Sequence, residues 1–239
     1  MLYLVPTPIG NLADITLRAL DVLKQSSVIV CEDTRHTKRL LDHFGIEKNL
    51  ESYHDHSAAS KIGRILDLAA EHETVAYVTD AGMPLISDPG FPLVREALRR
   101  GIRVEALPGP FAGVTALAAS GLATDSYIFS GFLPQKSGAR QKKLLSLADR
   151  EETLIFYESP YRLIKALQDM REVLGDREAV VAREISKKFE EYKRGRLSQL
   201  VSAFETKEPK GEFVILAAGK GRKPVFDQTR ETGHGKREA

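Results

Sequence analysis

Hydrophobic and polar positions divide the chain into short apolar runs and longer amphipathic segments. Runs such as residues 27–31 and 74–79 are bounded by turn-forming residues, a pattern typical of buried strands. Between the runs, apolar residues recur three and four positions apart, which predicts helices with one buried face. Strands that alternate with helices in this way favour βαβ units and a mostly parallel sheet, so the sequence predicts an α/β fold.

The first half of the chain follows this alternation throughout. The predicted strands cover residues 2–7, 27–31, 74–79 and 102–107, and the predicted helices cover 17–23, 36–44, 57–71, 91–98 and 111–121. Asp14 or Thr16 can cap the first helix, because short polar side chains accept hydrogen bonds from the free amides at a helix start. Gly45 is suited to ending the second helix.

The pattern changes after Gly121, where we predict a domain boundary. Strands are expected at residues 126–133, 153–157, 178–183 and 212–218, helices at 136–148, at 196–204 and after Ser159-Pro160, and half of an exposed hairpin at 189–194. The prediction is therefore an N-terminal α/β domain at residues 1–121 and a C-terminal α/β domain at 122–219. Residues 220–239 are polar and rich in Gly, Lys and Arg, and we predict that this tail is disordered.

Composition narrows the classes of protein to which the chain can belong. Hydrophobic residues make up 42% of the 239 residues, enough for a sizeable core, while the formal net charge is only +2. Any affinity for nucleic acid must therefore come from local basic patches. Two clusters are candidates for an RNA-binding patch, although a solvated surface is the simpler interpretation: Lys136, Arg140, Lys142 and Lys143, and then Lys187, Lys188, Arg194 and Arg196.

Cysteine content and hydropathy bear on the cellular compartment. The single cysteine, Cys31, excludes an internal disulfide and a cysteine-based metal site, and a reduced, cytoplasmic setting fits it best. No apolar run approaches the roughly 18 residues that span a bilayer, and the N-terminus lacks the basic region of a signal peptide. We therefore expect a cytoplasmic protein with no membrane partner.

Several predicted strands end in loops that are polar or contain glycine. These loops are Pro8-Ile9-Gly10-Asn11, Glu32-Asp33-Thr34-Arg35, residues 79–84 and Pro108-Gly109-Pro110. In a parallel sheet the carboxyl ends of the strands meet at one edge, which is where open α/β sheets bind ligands. We therefore expect the loops to line a common crevice, while a purely structural connection at residues 75–90 stays open, because Gly and Pro punctuate any turn.

Common nucleotide-binding and metal-binding motifs are missing from the sequence. Neither a Walker-type phosphate loop nor a Gly-x-Gly-x-x-Gly fingerprint follows an early strand. His54 and His56 flank Asp55, but no third ligand lies at a recognisable spacing, so a solvated polar strand is favoured over a metal site. We predict no metal.

Taken in order, short motifs along the chain resemble one protein family closely. They are Pro6-Thr7-Pro8-Ile9-Gly10-Asn11-Leu12, Cys31-Glu32-Asp33-Thr34-Arg35, Thr79-Asp80-Ala81-Gly82-Met83-Pro84, Ile86-Ser87-Asp88-Pro89-Gly90, Pro108-Gly109-Pro110, Gly131-Phe132-Leu133-Pro134, Glu158-Ser159-Pro160-Tyr161-Arg162, Ala182-Arg183-Glu184 and Lys210-Gly211-Glu212-Phe213. The resemblance extends over essentially residues 1–218. The family is the ribosomal RNA small subunit methyltransferase I family, which belongs to the tetrapyrrole methylase-like, class III S-adenosylmethionine methyltransferases.

The resemblance implies an enzyme that uses S-adenosyl-L-methionine to methylate the 2′-hydroxyl of a cytidine in the decoding centre of 16S ribosomal RNA, in the small ribosomal subunit. It also implies a homodimer, and two α/β domains of the tetrapyrrole methylase type with the cofactor in the cleft between them. The cofactor-binding residues implied by the matching motifs are Pro8, Asp80, Ala81, Gly82, Pro84, Ile86, Phe132, Leu133, Ala182, Arg183 and Gly211. Met83 and Phe111 depart from the family pattern, which usually has Thr and Ser there, and the family often carries a further C-terminal domain.

Catalysis would need a group that activates the acceptor, because a ribose hydroxyl is a poor nucleophile. Carboxylates beside predicted strand ends are candidates for a general base: Asp33, Glu158, Glu184 and Glu212. We take Glu184 and Asp33 as the leading candidates, with Arg183 as a residue that binds RNA phosphate or orients a carboxylate by bidentate pairing. Structural ion pairs explain such charged residues about equally well.

Two other functions compete with this one. The first is a methyltransferase of the same fold that acts on a tetrapyrrole precursor or in the diphthamide pathway, and the Glu32-Asp33-Thr34-Arg35 and Glu158-Ser159-Pro160 motifs point away from it. The second is a non-catalytic module that binds a nucleotide or the ribosome, which predicts binding without methyl transfer.

Overall fold

A computed structural model describes residues 1–54, 59–71, 74–206 and 208–226 of the chain. Contacts between Cα atoms divide the chain into two compact units. The first unit comprises Met1–Ala116 and Glu184–Glu191, and the second comprises Leu117–Arg183 and Tyr192–Ala239, the latter as far as it is described. The predicted boundary after Gly121 lies near this division, whereas the return of residues 184–191 to the first unit has no counterpart in the sequence prediction.

The first unit is built on a five-stranded sheet whose neighbouring strands are all parallel. Its strands are β1 (Leu2–Leu4), β2 (Val28–Cys31), β3 (Asn49–Ser52), β4 (Val75–Tyr77) and β5 (Val104–Ala106), in the spatial order β3-β2-β4-β1-β5. Its helices are α1 (Leu17–Gln25), α2 (Thr34–His43), α3 (Ala59–Glu71), α4 (Phe91–Arg99) and the first half of α5 (Ala112–Ser120). The division between the units falls within α5, after Ala116. The parallel sheet predicted for this half is confirmed, and β3 is an edge strand whose polar sequence contains no apolar run to reveal it.

Apolar residues cover both faces of this first sheet. Consecutive residues of β4 show the arrangement, since Ala76 packs in one cluster with Leu23 and Leu41, and Tyr77 packs in another with Ile65. A parallel sheet covered by helices on both faces is buried throughout, which is why its strands are nearly continuous apolar runs. Thr16 rather than Asp14 caps α1, with its hydroxyl accepting the amide of Ala19 at 3.0 Å.

The second unit is built on a mixed sheet. Its strands are β6 (Tyr127–Phe132), β7 (Thr153–Glu158), β8 (Glu178–Arg183), β9 (Glu191–Arg196) and β10 (Phe213–Ala217), in the order β6-β7-β10-β8-β9, and its helices are α6 (Ser137–Leu145), α7 (Leu163–Leu174) and α8 (Leu197–Glu205). The β6–β7 pair is parallel, whereas β10 is antiparallel to both β7 and β8. The three helices pack against one apolar cluster that includes Phe156, Leu167 and Phe204.

The beginning of the predicted disordered tail is held against the second unit. Arg222 pairs with Asp125 at 2.9 Å, and the Val225 amide donates to the Glu178 carboxylate at 2.6 Å. Residues 222 and 225, in the part of the chain for which we predicted disorder, thus contact partners that are far away in the sequence. Residues 227–239 lie outside the described part of the chain. Within that part, none of the helices is both apolar and long enough to cross a membrane.

Candidate active site

The loops that follow β1, β2, β4 and β5 come together at one edge of the first sheet. Thr7 and Gly82 exchange two backbone hydrogen bonds of 3.0 Å, so the loop after β1 is paired with the loop after β4. The amide of Asp33, after β2, donates to the Asp80 carboxylate at 3.3 Å. A methyl group placed on Gly82 would lie 3.6 Å from the Pro110 carbonyl oxygen, so the loop after β5 is also adjacent. The four loops are thus adjacent to one another at one edge of the sheet, as expected from parallel strands.

The loop between β4 and α4 has a backbone that few residue types adopt. Gly82 has a φ of +84°, and Leu85 and Ser87 have φ values of 70° and 68°, in a region that L-residues seldom occupy. The far end of the loop is fixed by Tyr77, whose hydroxyl donates to the Pro89 carbonyl at 2.7 Å. Such strained positions persist where the surrounding structure holds them, and they occur often at ligand sites.

Close backbone packing explains the glycines in these loops. A Cβ at Gly109 would lie 2.5 Å from the Cβ of Pro6, closer than real side chains approach, and a Cβ at Gly90 would lie 2.8 Å from the Tyr77 ring. Glycine is therefore needed for the loops after β1, β4 and β5 to lie against their neighbours.

Four carboxylates gather where β2 and β4 end: Glu32, Asp33, Asp80 and Asp88. Burial, followed by the negative charge of Glu32, raises the pKa of Asp88 to about 6, against the opposing effect of a hydrogen bond from Thr79. Burial also raises the pKa of the Cys31 thiol at the end of β2. The negative potential of this group favours a cationic ligand.

Asp33 is a helix cap as well as a member of the acidic group. Its carboxylate accepts the Arg35 amide at 2.8 Å at the start of α2, and it pairs with the Arg35 guanidinium at 2.9 Å. The hydrogen bond from the Arg35 side chain, followed by that from its backbone, holds the pKa of Asp33 well below its usual value. A carboxylate in this state is a weak proton acceptor.

The predicted cofactor residues of the first unit all lie in or beside these loops, but with different exposure. Pro8, Gly82 and Pro84 are buried, Asp80 is half-buried, and Ala81 and Ile86 are exposed. The exposed pair and the Asp80 carboxylate can contact a ligand directly, whereas the buried prolines can shape the backbone around it.

The predicted cofactor residues of the second unit lie at one edge of its own sheet, where β6, β7 and β8 end and β10 begins. Phe213 of β10 is paired with both Glu158 of β7 and Arg183 of β8. Phe132, at the end of β6, is paired with Tyr157 and is 54% exposed, with its ring 5.6 Å from the tyrosine ring. The residues at this edge are Phe132, Leu133, Ala182, Arg183 and Gly211, of which Leu133 and Ala182 are buried.

Glu184 begins the segment 184–191 that belongs to the first unit. It has a positive φ of 49°, and its carboxylate pairs with Lys187 at 3.2 Å. The alkyl stem of Lys187 covers Gly10, where a Cβ would lie 2.3 Å from the lysine Cγ, and Ser186 donates to the Asp14 carboxylate. These contacts hold the segment against the loop after β1. They also place Glu184, the leading candidate for the general base, beside the Lys187 ammonium group.

The structure adds to what the sequence analysis predicted for two carboxylates, Asp88, which was given no specific site role, and Glu158, which was one of four candidates for a general base. Asp88 joins the acidic group although its own motif, Ile86-Ser87-Asp88-Pro89-Gly90, is dominated by turn residues. Glu158 is buried beside Arg162 at 2.7 Å, and its second carboxylate oxygen has no hydrogen-bond partner among the described residues. Glu158 is the last residue of β7, which was the signal that pointed to it, whereas Asp88 lies in the β4–α4 loop shortly before α4 and only the fold brings it to the acidic group.

The structure also bears on the charged and metal-binding candidates. Arg140, placed in a basic patch by the sequence analysis, is 3% exposed and paired with Asp169 at 2.6 Å, because α6 turns this residue toward α7. The described residues contain no group of three or more His, Cys, Asp and Glu side chains arranged to bind a metal ion. Asp55 and His56 of the His-Asp-His motif lie outside the described residues.

Comparisons with known proteins agree with this architecture. The model of the Tetrapyrrole (Corrin/Porphyrin) Methylases matches residues 1–201. The ribosomal RNA small subunit methyltransferase I of Vibrio cholerae is 50% identical over 222 residues, which cover 92% of this chain and 77% of that protein. The protein of the same name from Halalkalibacterium halodurans is 48% identical over 222 residues, which cover 93% of this chain and 77% of that protein.

Solved structures add evidence on the fold alone. The structure of a cobalt precorrin-4 methyltransferase superposes with a TM-score of 0.69 at 21% identity, over 91% of this chain and 94% of that chain. The predicted α/β class and tetrapyrrole methylase fold are thus confirmed. Together with the matches above, the comparisons show that the chain belongs to the ribosomal RNA small subunit methyltransferase I family of tetrapyrrole methylases.

Proposed function

We propose that this protein transfers a methyl group from S-adenosyl-L-methionine to ribosomal RNA of the small subunit. The observation that carries the proposal is the identity of 48–50% to enzymes named for that activity, over more than nine-tenths of the chain. The acceptor that we propose is the 2′-hydroxyl of a cytidine in the decoding centre of 16S ribosomal RNA, as the motif resemblance implies. Homodimer formation and a cytoplasmic location stay predictions.

The edge of the first sheet has the chemistry that such a cofactor needs. When bound, S-adenosylmethionine supplies an electrophilic methyl group on a sulfonium sulfur, and it also carries an ammonium group. The carboxylates of Asp80, Asp88 and Glu32 favour these positive charges, and the bare backbone at Ala81-Gly82 allows close approach. These features support the cofactor assignment to Pro8, Asp80, Ala81, Gly82, Pro84 and Ile86 in the first unit.

In the second unit, the exposed Phe132 ring and the backbone around Leu133, Ala182, Arg183 and Gly211 offer apolar surface and carbonyl groups at one sheet edge. Such a surface suits the flat, uncharged part of the same cofactor. We propose that these residues complete its binding, with Arg183 also available to an RNA phosphate. The guanidinium Nε of Arg183 already donates to the Lys210 carbonyl at 2.6 Å, which fixes its direction.

Positioning accounts for most of the catalysis in this proposal, since an in-line displacement depends on aligning the hydroxyl, the methyl group and the sulfur. A general base would then accept the hydroxyl proton. We propose Glu184 for this role in preference to Asp33, because the Arg35 contacts make Asp33 a weak base. Lys187, 3.2 Å from Glu184, would hold the direction of its carboxylate.

The proposed function can be tested with small ribosomal subunits from a bacterial strain that lacks the family enzyme. The purified protein and methyl-labelled S-adenosylmethionine should label the small-subunit RNA, with large subunits and already methylated small subunits as controls. A 2′-O-methyl group protects the adjacent phosphodiester from alkali, so hydrolysis and mass spectrometry would separate ribose from base methylation and locate the nucleotide.

The competing functions predict different results when the same labelling assay is run with a tetrapyrrole precursor as well as with ribosomal subunits. Labelling of a tetrapyrrole precursor without labelling of RNA would support the small-molecule methyltransferase. Binding of the cofactor or of small subunits with no methyl transfer to any of these acceptors would support a non-catalytic module. Either result would contradict the proposal.

A further inference from the structure

The chain leaves the second sheet at the end of β6 in an irregular way. The register with β7 shifts between Phe129 and Phe132, and Gly131 has a φ of +62°. Past the strand, the carbonyl groups of residues 133–135 have left the β-ladder. Leu133 is buried and Pro134 is half-buried, and a carbonyl removed from water costs free energy if it has no donor. Two arginines supply the donors.

Arg162 is the first of these arginines. Its Nη1 donates to the Leu133 carbonyl at 3.3 Å, and its Nη2 pairs at 2.7 Å with Glu158, whose side chain is fully buried. Its Nε donates to the Ser159 hydroxyl at 3.3 Å, and its guanidinium carbon lies 6.0 Å from the centre of the Phe132 ring. One planar group thus connects the ends of β6 and β7 with the segment that leads into α7.

Arg140 of α6 is the second arginine and has the same arrangement. Its Nη1 donates to the Pro134 and Gln135 carbonyls at 3.3 and 3.0 Å, and its Nε donates to Asp169 at 2.6 Å. Asp169 is itself held by Ser137 and Gln141, at 3.1 Å each. Each arginine therefore binds the backbone of residues 133–135 on one side and a carboxylate fixed by its surroundings on the other.

We propose that Arg162 and Arg140 are positioning residues that hold residues 132–135 in the shape that binds the cofactor. The inference rests on the proposed function, in which Phe132 and Leu133 contact S-adenosylmethionine. A buried ion pair contributes little net stability relative to an apolar pair, but its planar fork fixes geometry. Lysine keeps the charge and loses the fork, because its three donors are all on one freely rotating nitrogen and no longer fix the angle between the carboxylate and the carbonyl.

The test compares single Arg162→Lys and Arg140→Lys variants of the full chain with a matched control. Arg177 is the control, since its guanidinium also binds backbone carbonyls, those of Leu174 and Ala218 at 2.9 and 3.3 Å, but at the opposite edge of the same sheet. We expect Arg162→Lys and Arg140→Lys to raise the Kd for S-adenosylmethionine, measured by titration calorimetry, by about tenfold. Arg177→Lys should leave that Kd unchanged.

Steady-state kinetics separates positioning from general loss of structure. The two lysine variants should raise KM for the cofactor with kcat at saturating cofactor near the wild-type value, and thermal unfolding should show a folded protein at the assay temperature. A fall in kcat with unchanged KM, an unchanged Kd in both variants, or an equal loss of affinity in Arg177→Lys would overturn the inference. If an arginine variant does not fold, replacing its carboxylate partner by the amide of the same shape, Glu158→Gln for Arg162 or Asp169→Asn for Arg140, provides the same comparison.

The outcomes for the two proposals are distinct. If the wild-type protein binds the cofactor but does not methylate small-subunit RNA, the proposed function is contradicted. The comparison of Kd values then still tests the positioning role of Arg162 and Arg140. Wild-type protein that does not bind S-adenosylmethionine at all contradicts both proposals.

Discussion

The carboxyl group of Asp88 shows how single residues in this protein depart from their solution behaviour. It is half-buried beside Glu32 and Asp80, and both burial and these negative charges disfavour its ionised form. Asp33 shows the opposite effect a short distance along the chain, because Arg35 donates to its carboxylate. The same acidic group thus contains one carboxyl with a raised pKa, Asp88, and one with a lowered pKa, Asp33.

The raised pKa of Asp88 makes stability depend on pH. The pKa is about 6 in the folded protein and 3.8 for an unperturbed group, so the unfolded chain loses this proton first and stability falls as the pH rises from about 4 to above 6. We expect Asp88→Asn to raise the free energy of unfolding by about 1–2 kcal/mol at pH 8, after allowing for partial exposure, and by almost nothing near pH 4.

Urea denaturation of the wild type and Asp88→Asn at several pH values would check the prediction. A difference in stability that is the same at every pH would show that the ionisation of Asp88 is not its cause. Asp67, an exposed carboxylate paired with Arg100 at 2.8 Å, is a suitable control position for Asp→Asn replacement.

The two base candidates also call for a comparison at single residues. General base catalysis contributes about 10²- to 10⁴-fold, so Glu184→Gln should lower kcat by a factor in that range while the Kd for S-adenosylmethionine stays near the wild-type value. Asp33→Asn should lower kcat by less than about tenfold, because an asparagine still caps α2 and the native carboxylate is a weak base. Methyl transfer under single-turnover conditions measures both effects, and the reverse order would assign the base to Asp33.

At the level of secondary structure, the loops matter more to the proposed function than the strands and helices they connect. The β4–α4 loop is held at both ends, by the Thr7–Gly82 backbone pair at its start and by the Tyr77 hydroxyl on Pro89 at its far end. Between these anchors, Leu85 and Ser87 keep left-handed backbone conformations. Fixing a loop in its binding shape before the ligand arrives reduces the entropy lost on binding.

Gly82→Ala tests this loop directly. The positive φ of Gly82 makes alanine cost about 1–2 kcal/mol of stability, and the added Cβ would stand 3.3 Å from Ile9 in the crevice. We expect Gly82→Ala to raise the Kd for S-adenosylmethionine at least about tenfold, which corresponds to a loss of about 1.4 kcal/mol of binding free energy. Gly101→Ala is the matched control, since Gly101 has a φ of +72° and a methyl group added there would have no neighbouring atom within 4 Å.

Calorimetry of cofactor binding and thermal unfolding of both variants would decide the matter. If both variants lose similar stability and only Gly82→Ala loses affinity, the result would support binding of the cofactor at Ala81-Gly82. An unchanged Kd in Gly82→Ala would remove this loop from the proposed cofactor site.

For the molecule as a whole, a net charge of +2 means that RNA binding depends on where the charges lie rather than on how many there are. The structure separates the two kinds of basic residue in α6. Arg140 is buried in an ion pair, whereas Lys142 and Lys143 are exposed. Only the exposed lysines can contact phosphates.

We therefore expect a Lys142→Ala/Lys143→Ala variant to bind small-subunit RNA more weakly and with a shallower salt dependence, by about 0.7 per lost phosphate contact in the slope of log K against log salt. Filter binding over a series of salt concentrations would measure it. A Lys24→Ala/Lys38→Ala variant removes the same charge from α1 and α2, and an equal effect there would show that the location of the α6 lysines is unimportant.

Much of this architecture follows from local pattern. Apolar runs such as 27–31 mark strands that are buried on both faces, and periodic segments such as 91–98 mark the helices, because burial and backbone geometry impose those spacings at short range. The order of the glycine- and proline-containing turns was enough to suggest the family, since each turn demands particular residues. The polar edge strand Asn49–Ser52 escaped prediction for the same reason, as it has no apolar run.

Contacts between distant residues could be read only from the tertiary structure. Arg140 looked like a surface charge until α6 placed it against Asp169, 29 residues away, and residues 220–226 looked disordered until their partners Asp125 and Glu178 were known. The raised pKa of Asp88 likewise depends on its burial in the folded protein and on Glu32, which lies far from it in the sequence. Periodicity and turn chemistry are local properties, whereas the burial and charge that set a side chain's role come from whichever residues the fold brings beside it.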